Sequence, residues 1–144
     1  MITLHFFKMK EEIIQSKIVI DFSQKRPDLN GCLWSVPNRT LSLKDAMKQR
    51  SMGLIKGVSD LHLLFHGRFI GIEIKAPGKR HKKEHIQSQW NWGRTIIKNG
   101  GEWYIVTSVD GFWSAILTRG EQQGFYSHRQ VTKMLLESKG TLVF

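Results

Sequence analysis

The spacing of apolar and polar positions along the chain predicts an alternation of helices and strands. Apolar residues at helical spacing predict helices over residues 9–22, 43–52, 82–99, 110–117 and 128–137. Shorter apolar runs bounded by turn residues predict strands over residues 32–36, 59–65, 68–76 and 102–108. His66 and Gly67 form the turn of a hairpin between the second and third of these strands. The order of elements is typical of an α/β sandwich with a mixed sheet.

The length and composition predict one domain. With 144 residues, 40% of them hydrophobic, the chain can bury one real core, and no repeat or linker divides it. The single cysteine, Cys32, rules out an intramolecular disulfide and fits a reducing, cytoplasmic location. The apolar start is too short for a signal peptide, and no segment is long enough to cross a bilayer.

The charge is strongly positive. Twenty-two Lys and Arg residues against twelve Asp and Glu residues give a net charge of +10. Such an excess favours a polyanionic partner, either nucleic acid or an anionic membrane surface, although a basic protein without a special partner would have the same composition. The charge therefore narrows the range of possible functions only slightly. Residues that could carry out chemistry must decide between these functions.

The predicted hairpin carries the clearest candidate chemistry. Asp60 lies at the start of its first strand, and Glu73 and Lys75 lie on one face of its second strand, opposite the isoleucines that alternate with them. Two carboxylates on adjacent strands would form an oxygen-lined site suited to Mg²⁺ or Mn²⁺, with the lysine placed to orient a water. The competing interpretation is an ordinary Glu–Lys ion pair on the solvated face of a hairpin.

Further residues favour a functional site at the hairpin without establishing it. Glu11 shares a helical face with three apolar residues, where a charge near the helix N-terminus is the alternative explanation. Gln89 borders the apolar stripe of the long helix, and its amide could hydrogen-bond backbone or reach over the hairpin. The run from Lys79 to Lys83 follows the hairpin directly, and is either a solvated charge run or a contact for a phosphate backbone. The histidines lack zinc-type spacing, and we expect them at the surface or in contact with DNA.

These positions resemble a known family. The resemblance rests on spaced motifs that occur in one order: Val36-Pro37-Asn38, Ala46, Arg50, Gly53, Gly57-Val58-Ser59-Asp60-Leu61, Ile72-Glu73-Ile74-Lys75, Gln89-x-x-Trp92 and Gly100. Together they look like the virus-type replication-repair nuclease (VRR-NUC) domain of the PD-(D/E)xK superfamily. The resemblance covers about residues 11–117 and leaves residues 118–144 as a C-terminal extension of the single domain, 1–144. The usual proline before the motif aspartate is Ser59 here.

The resemblance implies a restriction-endonuclease-like α/β sandwich with a central mixed β-sheet flanked by helices. It also implies a role for each matching residue. Asp60, Glu73 and the Ile74 carbonyl would hold Mg²⁺ or Mn²⁺, Lys75 would position the attacking water, and Glu11 and Gln89 would complete the site. The DNA-contacting residues would be Arg50, Lys79, Arg80, Lys82 and Lys83.

The function that follows is a divalent-metal-dependent DNA endonuclease, structure-selective in DNA repair, recombination or phage replication, and a homodimer. No membrane partner is expected. The alternatives are a catalytically inactive basic DNA-binding protein with the same fold and, more remotely, an RNA-processing or structural partner protein. The complete set of Asp60, Glu73 and Lys75 argues against an inactive relative.

Overall fold

The computed structural model describes residues 2–37, 42–117 and 123–144, with side chains from Lys10 onward. The helices and strands in chain order are α1 (Ile2–Lys25), β1 (Leu33–Ser35), α2 (Leu43–Ser51), β2 (Leu61–Phe65), β3 (Arg68–Ile74), β4 (Arg80–Lys82), α3 (Lys83–Lys98), β5 (Glu102–Val106), α4 (Val109–Leu117), β6 (Phe125–Ser127), α5 (His128–Glu137) and β7 (Thr141–Val143). The predicted mixed α/β architecture is confirmed.

Five strands form the central sheet in the order β1-β2-β3-β5-β6. Among the strands of the described residues, only the β3–β5 pair is parallel, because α3 crosses over between these two strands, while the other neighbours are antiparallel. The site hairpin β2–β3 therefore lies inside the sheet, with β3 paired on both edges. A strand in that position has its backbone held from both sides, which makes it a rigid support for a site.

Helices cover both faces of the sheet. On one face, Ile70, Ile72 and Ile74 of β3 pack with side chains of α1 and α4 in one apolar cluster. On the other face, Trp103 and Ile105 of β5 pack with side chains of α3, α5 and β7 in a second cluster. The alternation of strand side chains accounts for this division, since consecutive residues of β3 and β5 point to opposite faces.

The sequence predicted most element boundaries to within a few residues. Helix α2 begins after Ser42, whose hydroxyl caps the helix by accepting a hydrogen bond from the Asp45 amide at 3.1 Å. The first helix is longer than predicted, since it begins at Ile2 rather than residue 9. It ends at Lys25, where the Arg26 amide still donates to the Phe22 carbonyl and Pro27 follows.

Three short strands were missed. The predicted charge run contains β4, which pairs antiparallel with β7 at the end of the chain. The predicted extension contains β6, which pairs with β5 as an edge of the central sheet, so residues from 123 onward contribute to the fold. Three-residue strands are too short to display a period, and long-range pairing creates them.

The position of His81 is a related correction. We expected it at the surface, but it is buried because β4 alternates: Arg80 and Lys82 point outward, and His81 points inward, against Phe144. His62 is half-buried and stacks on Trp92 with the ring centroids 5.3 Å apart. Trp103 is buried in the second cluster, whereas Trp90, Trp92 and Trp113 are partly buried at the cluster edges.

The motif residue Asn38 and its neighbours Arg39 and Thr40 lie outside the described residues. Among the helices of the described ranges, none combines the length and the apolar character needed to span a membrane.

Candidate active site

The two hairpin carboxylates lie side by side. Asp60 immediately precedes β2, and its Oδ2 accepts a hydrogen bond of 2.8 Å from the amide of Ile74, in β3. That bond fixes the Asp60 side chain against the strand that carries Glu73. Burial raises the pKa of the Glu73 carboxyl, and the negative charge of the nearby Asp60 carboxyl raises it further.

Glu73 is a buried carboxylate, with 2% of its surface exposed. Burial raises its pKa well above the usual value, the negative charge of Asp60 adds to the effect, and Lys75 opposes it. Its Oε2 has no hydrogen-bond partner among the described residues. A buried carboxylate oxygen without a donor costs free energy, so Glu73 is poised to accept either a proton or a cation.

Lys75 is buried beside Glu73, with 4% of its surface exposed. Its Nζ lies 3.7 Å from Glu73 Oε1. The competing interpretation from the sequence, an ion pair on the solvated face of a hairpin, is excluded because both side chains are buried. A buried pair of this kind contributes little net stability, because both groups lose their hydration, and so it needs another explanation.

Gln89 reaches the hairpin from α3. Its Nε2 donates a 2.9 Å hydrogen bond to Glu73 Oε1, which answers the question that the sequence left open about this amide. His85, one turn earlier on the same helix, has its Nε2 3.4 Å from Gln89 Nε2. Burial lowers the pKa of His85, and the charge of Lys75 lowers it further. Glu73 is thus held from two sides, by Lys75, which follows the end of β3, and by Gln89 of α3.

Glu11 joins the site from the far end of the sequence. Its Oε1 accepts hydrogen bonds from the Ala76 amide at 3.3 Å and from Lys79 Nζ at 3.4 Å, and lies 4.0 Å from His81 Nε2. Since α1 begins at Ile2, Glu11 is not in its first turn, and a helix N-terminal charge does not explain it. Burial lowers the pKa of His81 to about 4, and the nearby lysines Lys75 and Lys79 act in the same direction.

These side chains line one cleft of about 390 Å³. All six residues of the predicted catalytic and metal-binding set contribute to its wall: Glu11, Asp60, Glu73, Ile74, Lys75 and Gln89. Arg50, from the predicted DNA-contacting set, lines it as well. Lys56, His85 and Ser88 also line this cleft, although no motif in the sequence assigned them to it. The helical period could have found His85, because it lies four residues before Gln89 and shares its face.

The residues of the basic run differ in exposure and in their contacts with the rest of the protein. Arg80 and Lys82 are exposed, whereas Lys79 is half-buried and pairs with Glu11. Lys83 Nζ donates to the Ser138 carbonyl at 3.3 Å. Of the four predicted DNA contacts in this run, Arg80 and Lys82 are exposed and can meet a phosphate backbone. Lys79 and Lys83 also bond to other residues of the protein.

The donor set suits a hard divalent cation. Among the described residues, no group of three or more His, Cys, Asp or Glu side chains is arranged to hold a metal ion. A cation at this cleft would therefore need Asp60, Glu73 and a backbone oxygen, which is the set that the family resemblance implies. The buried Glu73 Oε2 without a donor, beside a second carboxylate, fits such a cation, since oxygen ligands are those that Mg²⁺ and Mn²⁺ prefer.

The fold and this cleft define an α/β protein with a carboxylate–lysine site on a central hairpin. The structure is similar to a solved structure described as a "VRR_NUC domain protein", with a TM-score of 0.56 over 76% of this chain and 86% of that chain, at 22% sequence identity. No model of a protein family matches the sequence, and no curated protein matches it. The chain has the VRR-NUC fold that the resemblance of its spaced motifs implied. The structural comparison establishes this fold, whereas the two sequence comparisons found no match.

Proposed function

We propose that the protein is a divalent-metal-dependent DNA endonuclease that hydrolyses phosphodiester bonds. The observation that carries the proposal is the convergence of Asp60, Glu73 and Lys75 in one cleft on adjacent strands. The fold supports it, since it is shared with a VRR_NUC domain protein. The net charge of +10 supports a polyanionic substrate.

Asp60, Glu73 and the Ile74 carbonyl would hold Mg²⁺ or Mn²⁺. When bound, the cation supplies a positive charge that stabilises the phosphate in the transition state and acidifies water. Asp60 is oriented for this role by the Ile74 amide, and Glu73 by the Gln89 amide. Both carboxylates are therefore preorganised, which reduces the cost of rearrangement at the moment of reaction.

Lys75 holds and orients the water that attacks phosphorus. It follows directly on the rigid central strand β3, and its Nζ lies beside Glu73 and faces the same cleft. The water oxygen forms the new bond to phosphorus in line with the bond that breaks and gives up a proton to solvent, and the 3′ oxygen leaves and takes up a proton from solvent. Glu11 takes part indirectly, since it accepts from the Ala76 amide next to Lys75 and so fixes the end of the strand.

The finer proposal is a structure-selective homodimeric enzyme of DNA repair, recombination or phage replication. Its support is the resemblance to the VRR-NUC family, whose stand-alone members resemble junction-cleaving homodimers. The rival function is a basic DNA-binding protein without activity, which would bind the same DNA and leave it intact.

The deciding experiment is cleavage of a panel of branched and linear DNA with Mg²⁺, with Mn²⁺ and with EDTA. We expect cleavage with either cation and none with EDTA. Glu73→Gln is the matched control, because it keeps the shape of the side chain. Binding without cleavage by the wild-type protein under all metal conditions would favour the inactive rival, and cleavage in EDTA at the wild-type level would contradict the proposed mechanism.

A further inference from the structure

Helix α2 stands beside the cleft without contributing to the core. None of its nine residues, all of them described, is buried, and its contacts with the other described elements are sparse. Its two large apolar side chains, Leu43 and Met47, are 77% and 63% exposed. Because these two apolar side chains are exposed to water, they contribute little to folding. Exposed apolar surface next to a cleft is typical of a binding site.

The apolar pair borders the cleft. At about 100° per residue, Leu43 and Met47 share one face of α2, one turn apart. Ala46 and Arg50 lie next to that face, and both line the cleft. The apolar surface is therefore continuous with the wall of the candidate active site.

The other flank of the apolar pair is basic. Lys44 and Lys48 follow it around the helix, and the one acidic residue, Asp45, lies on the opposite side, where its amide donates to Ser42. Past the end of the helix, Lys56 is also exposed and lines the cleft. A surface that joins apolar side chains to basic ones at the mouth of a cleft matches nucleic acid, whose bases are apolar on their faces and whose backbone is anionic.

We propose that α2 is a contact for unpaired bases: Leu43 and Met47 pack on bases that are unstacked next to the cleft, while Lys44 and Lys48 contact the flanking phosphates. The inference rests on the proposed function for its substrate, DNA. Unbranched duplex hides its base faces within the stack, so only its backbone can meet this surface. Aliphatic side chains such as Leu and Met are among those that proteins insert between base steps.

The test compares two DNA molecules and needs no cleavage. One is a duplex, and the other is the same duplex with a short unpaired bulge that contains 2-aminopurine, whose fluorescence rises on unstacking. Binding is measured in EDTA, so that the result does not depend on catalysis. For the Leu43→Ala/Met47→Ala double variant we expect at least about a tenfold loss of affinity for the bulged DNA, with the fluorescence rise largely lost, and less than about a twofold change for the duplex.

Two controls keep the result interpretable. Leu136→Ala removes an 81% exposed leucine from α5, which does not line the cleft, and should change neither affinity. The double variant Leu43→Met/Met47→Leu keeps the apolar surface and should behave as wild type. Since the replaced side chains are exposed, the unfolding temperature of the variants should stay close to that of the wild-type protein.

Other outcomes overturn the proposal. Equal losses on both DNA molecules would make α2 a general backbone contact, and no loss on either would remove it from the DNA surface. A change in oligomeric state by sedimentation, with unchanged affinity for the bulge, would assign the apolar pair to a second copy of the chain. Failure of the proposed function is distinguishable, because it would appear as absent cleavage by the wild-type protein whatever the result for α2.

Discussion

Lys75 Nζ and Glu73 Oε1 lie 3.7 Å apart, and both side chains are buried at the end of the central strand β3. The arrangement holds an acid and an amine together where both are largely shielded from solvent. A buried pair of this kind adds little to the stability of the fold, and such pairs commonly occur at functional sites.

Removal of either carboxylate should stop the reaction. Asp60→Asn and Glu73→Gln keep the side-chain shape, but each removes one anionic ligand of the cation, and Glu73→Gln also removes the counter-ion of Lys75. We expect cleavage of DNA below detection with Mg²⁺ or Mn²⁺, while affinity for DNA in a filter-binding assay stays close to wild type. Full activity in either variant would show that the cation, if it is needed, is held elsewhere.

The role of Lys75 separates chemistry from binding. Lys75→Ala should lower the single-turnover rate at saturating enzyme by about 10²- to 10⁴-fold, the usual loss when a group positioned at the reacting proton is removed. Affinity for DNA should change little, since Lys75 is one of 22 basic residues and is buried.

The matched control for this charge is Lys98→Ala, which removes an exposed lysine from the last turn of α3. It should leave the rate unchanged. If Lys75→Ala weakens binding strongly and leaves the saturating rate intact, Lys75 is a binding residue and the proposed role is wrong.

Binding of the cation should depend on pH through Glu73. Its pKa is raised in the folded protein, so its contribution to stability is present at low pH and is lost as the pH rises through the folded pKa. A cation replaces the proton and restores that stability. We therefore expect Mn²⁺ to raise the unfolding temperature more at high pH than at low pH, with a stabilisation of about 2.7 kcal/mol when free Mn²⁺ is 100 times its Kd.

Thermal unfolding with Mn²⁺ and with EDTA, measured across a pH series, checks this prediction. Asp60→Asn is the control, because it removes a ligand and also one cause of the raised pKa of Glu73. A rise in unfolding temperature that is equal at all pH values would mean that Glu73 does not bind the cation.

The salt dependence of DNA binding should locate the backbone contacts on β4. Arg80 and Lys82 point outward on this strand. Each neutralised phosphate contributes about 0.9 to the slope of log affinity against log salt, so the Arg80→Ala/Lys82→Ala variant should flatten the slope by about two units. The full set with Lys79 and Lys83 should flatten it by about two to four units, although those two lysines also hold Glu11 and the Ser138 carbonyl.

Cleavage at saturating enzyme should persist in the Arg80→Ala/Lys82→Ala variant, since the cation ligands are untouched. A slope equal to that of the wild-type protein would place the DNA on another basic surface. The face of α5 that carries Arg129 and Lys133, both exposed, is then the next region to test.

The chain end should contribute to stability through one face of β7. Leu142 is buried opposite His81 of β4, whereas Val143 beside it is 47% exposed. Leu142→Ala should lower the free energy of unfolding by about 2–5 kcal/mol, and Val143→Ala, the matched control, by no more than about 0.5 kcal/mol. Urea unfolding measures both values. Equal effects would mean that β7 is not packed on β4 in solution.

The hairpin chemistry could be predicted from the sequence because it depends on local periods. Alternation along a strand is enough to place Glu73 and Lys75 on one face, and the turn at His66-Gly67 is enough to bring Asp60 to the neighbouring strand. The helical period likewise placed Gln89 at the edge of the apolar face of α3. These relationships span few residues, so backbone geometry alone determines them.

Contacts between distant segments required the tertiary structure. Glu11 meets the Ala76 amide across 65 positions of the sequence, and no period of either segment predicts that bond. The burial of His81 depends on the pairing of β4 with β7, two three-residue strands that exist only because each supplies the other's hydrogen bonds. The same folding decided that the Glu73–Lys75 pair is buried rather than solvated, because α3 lies over that face of β3. Periodicity gives the direction of a side chain, but only the packing of the whole chain decides what it meets there.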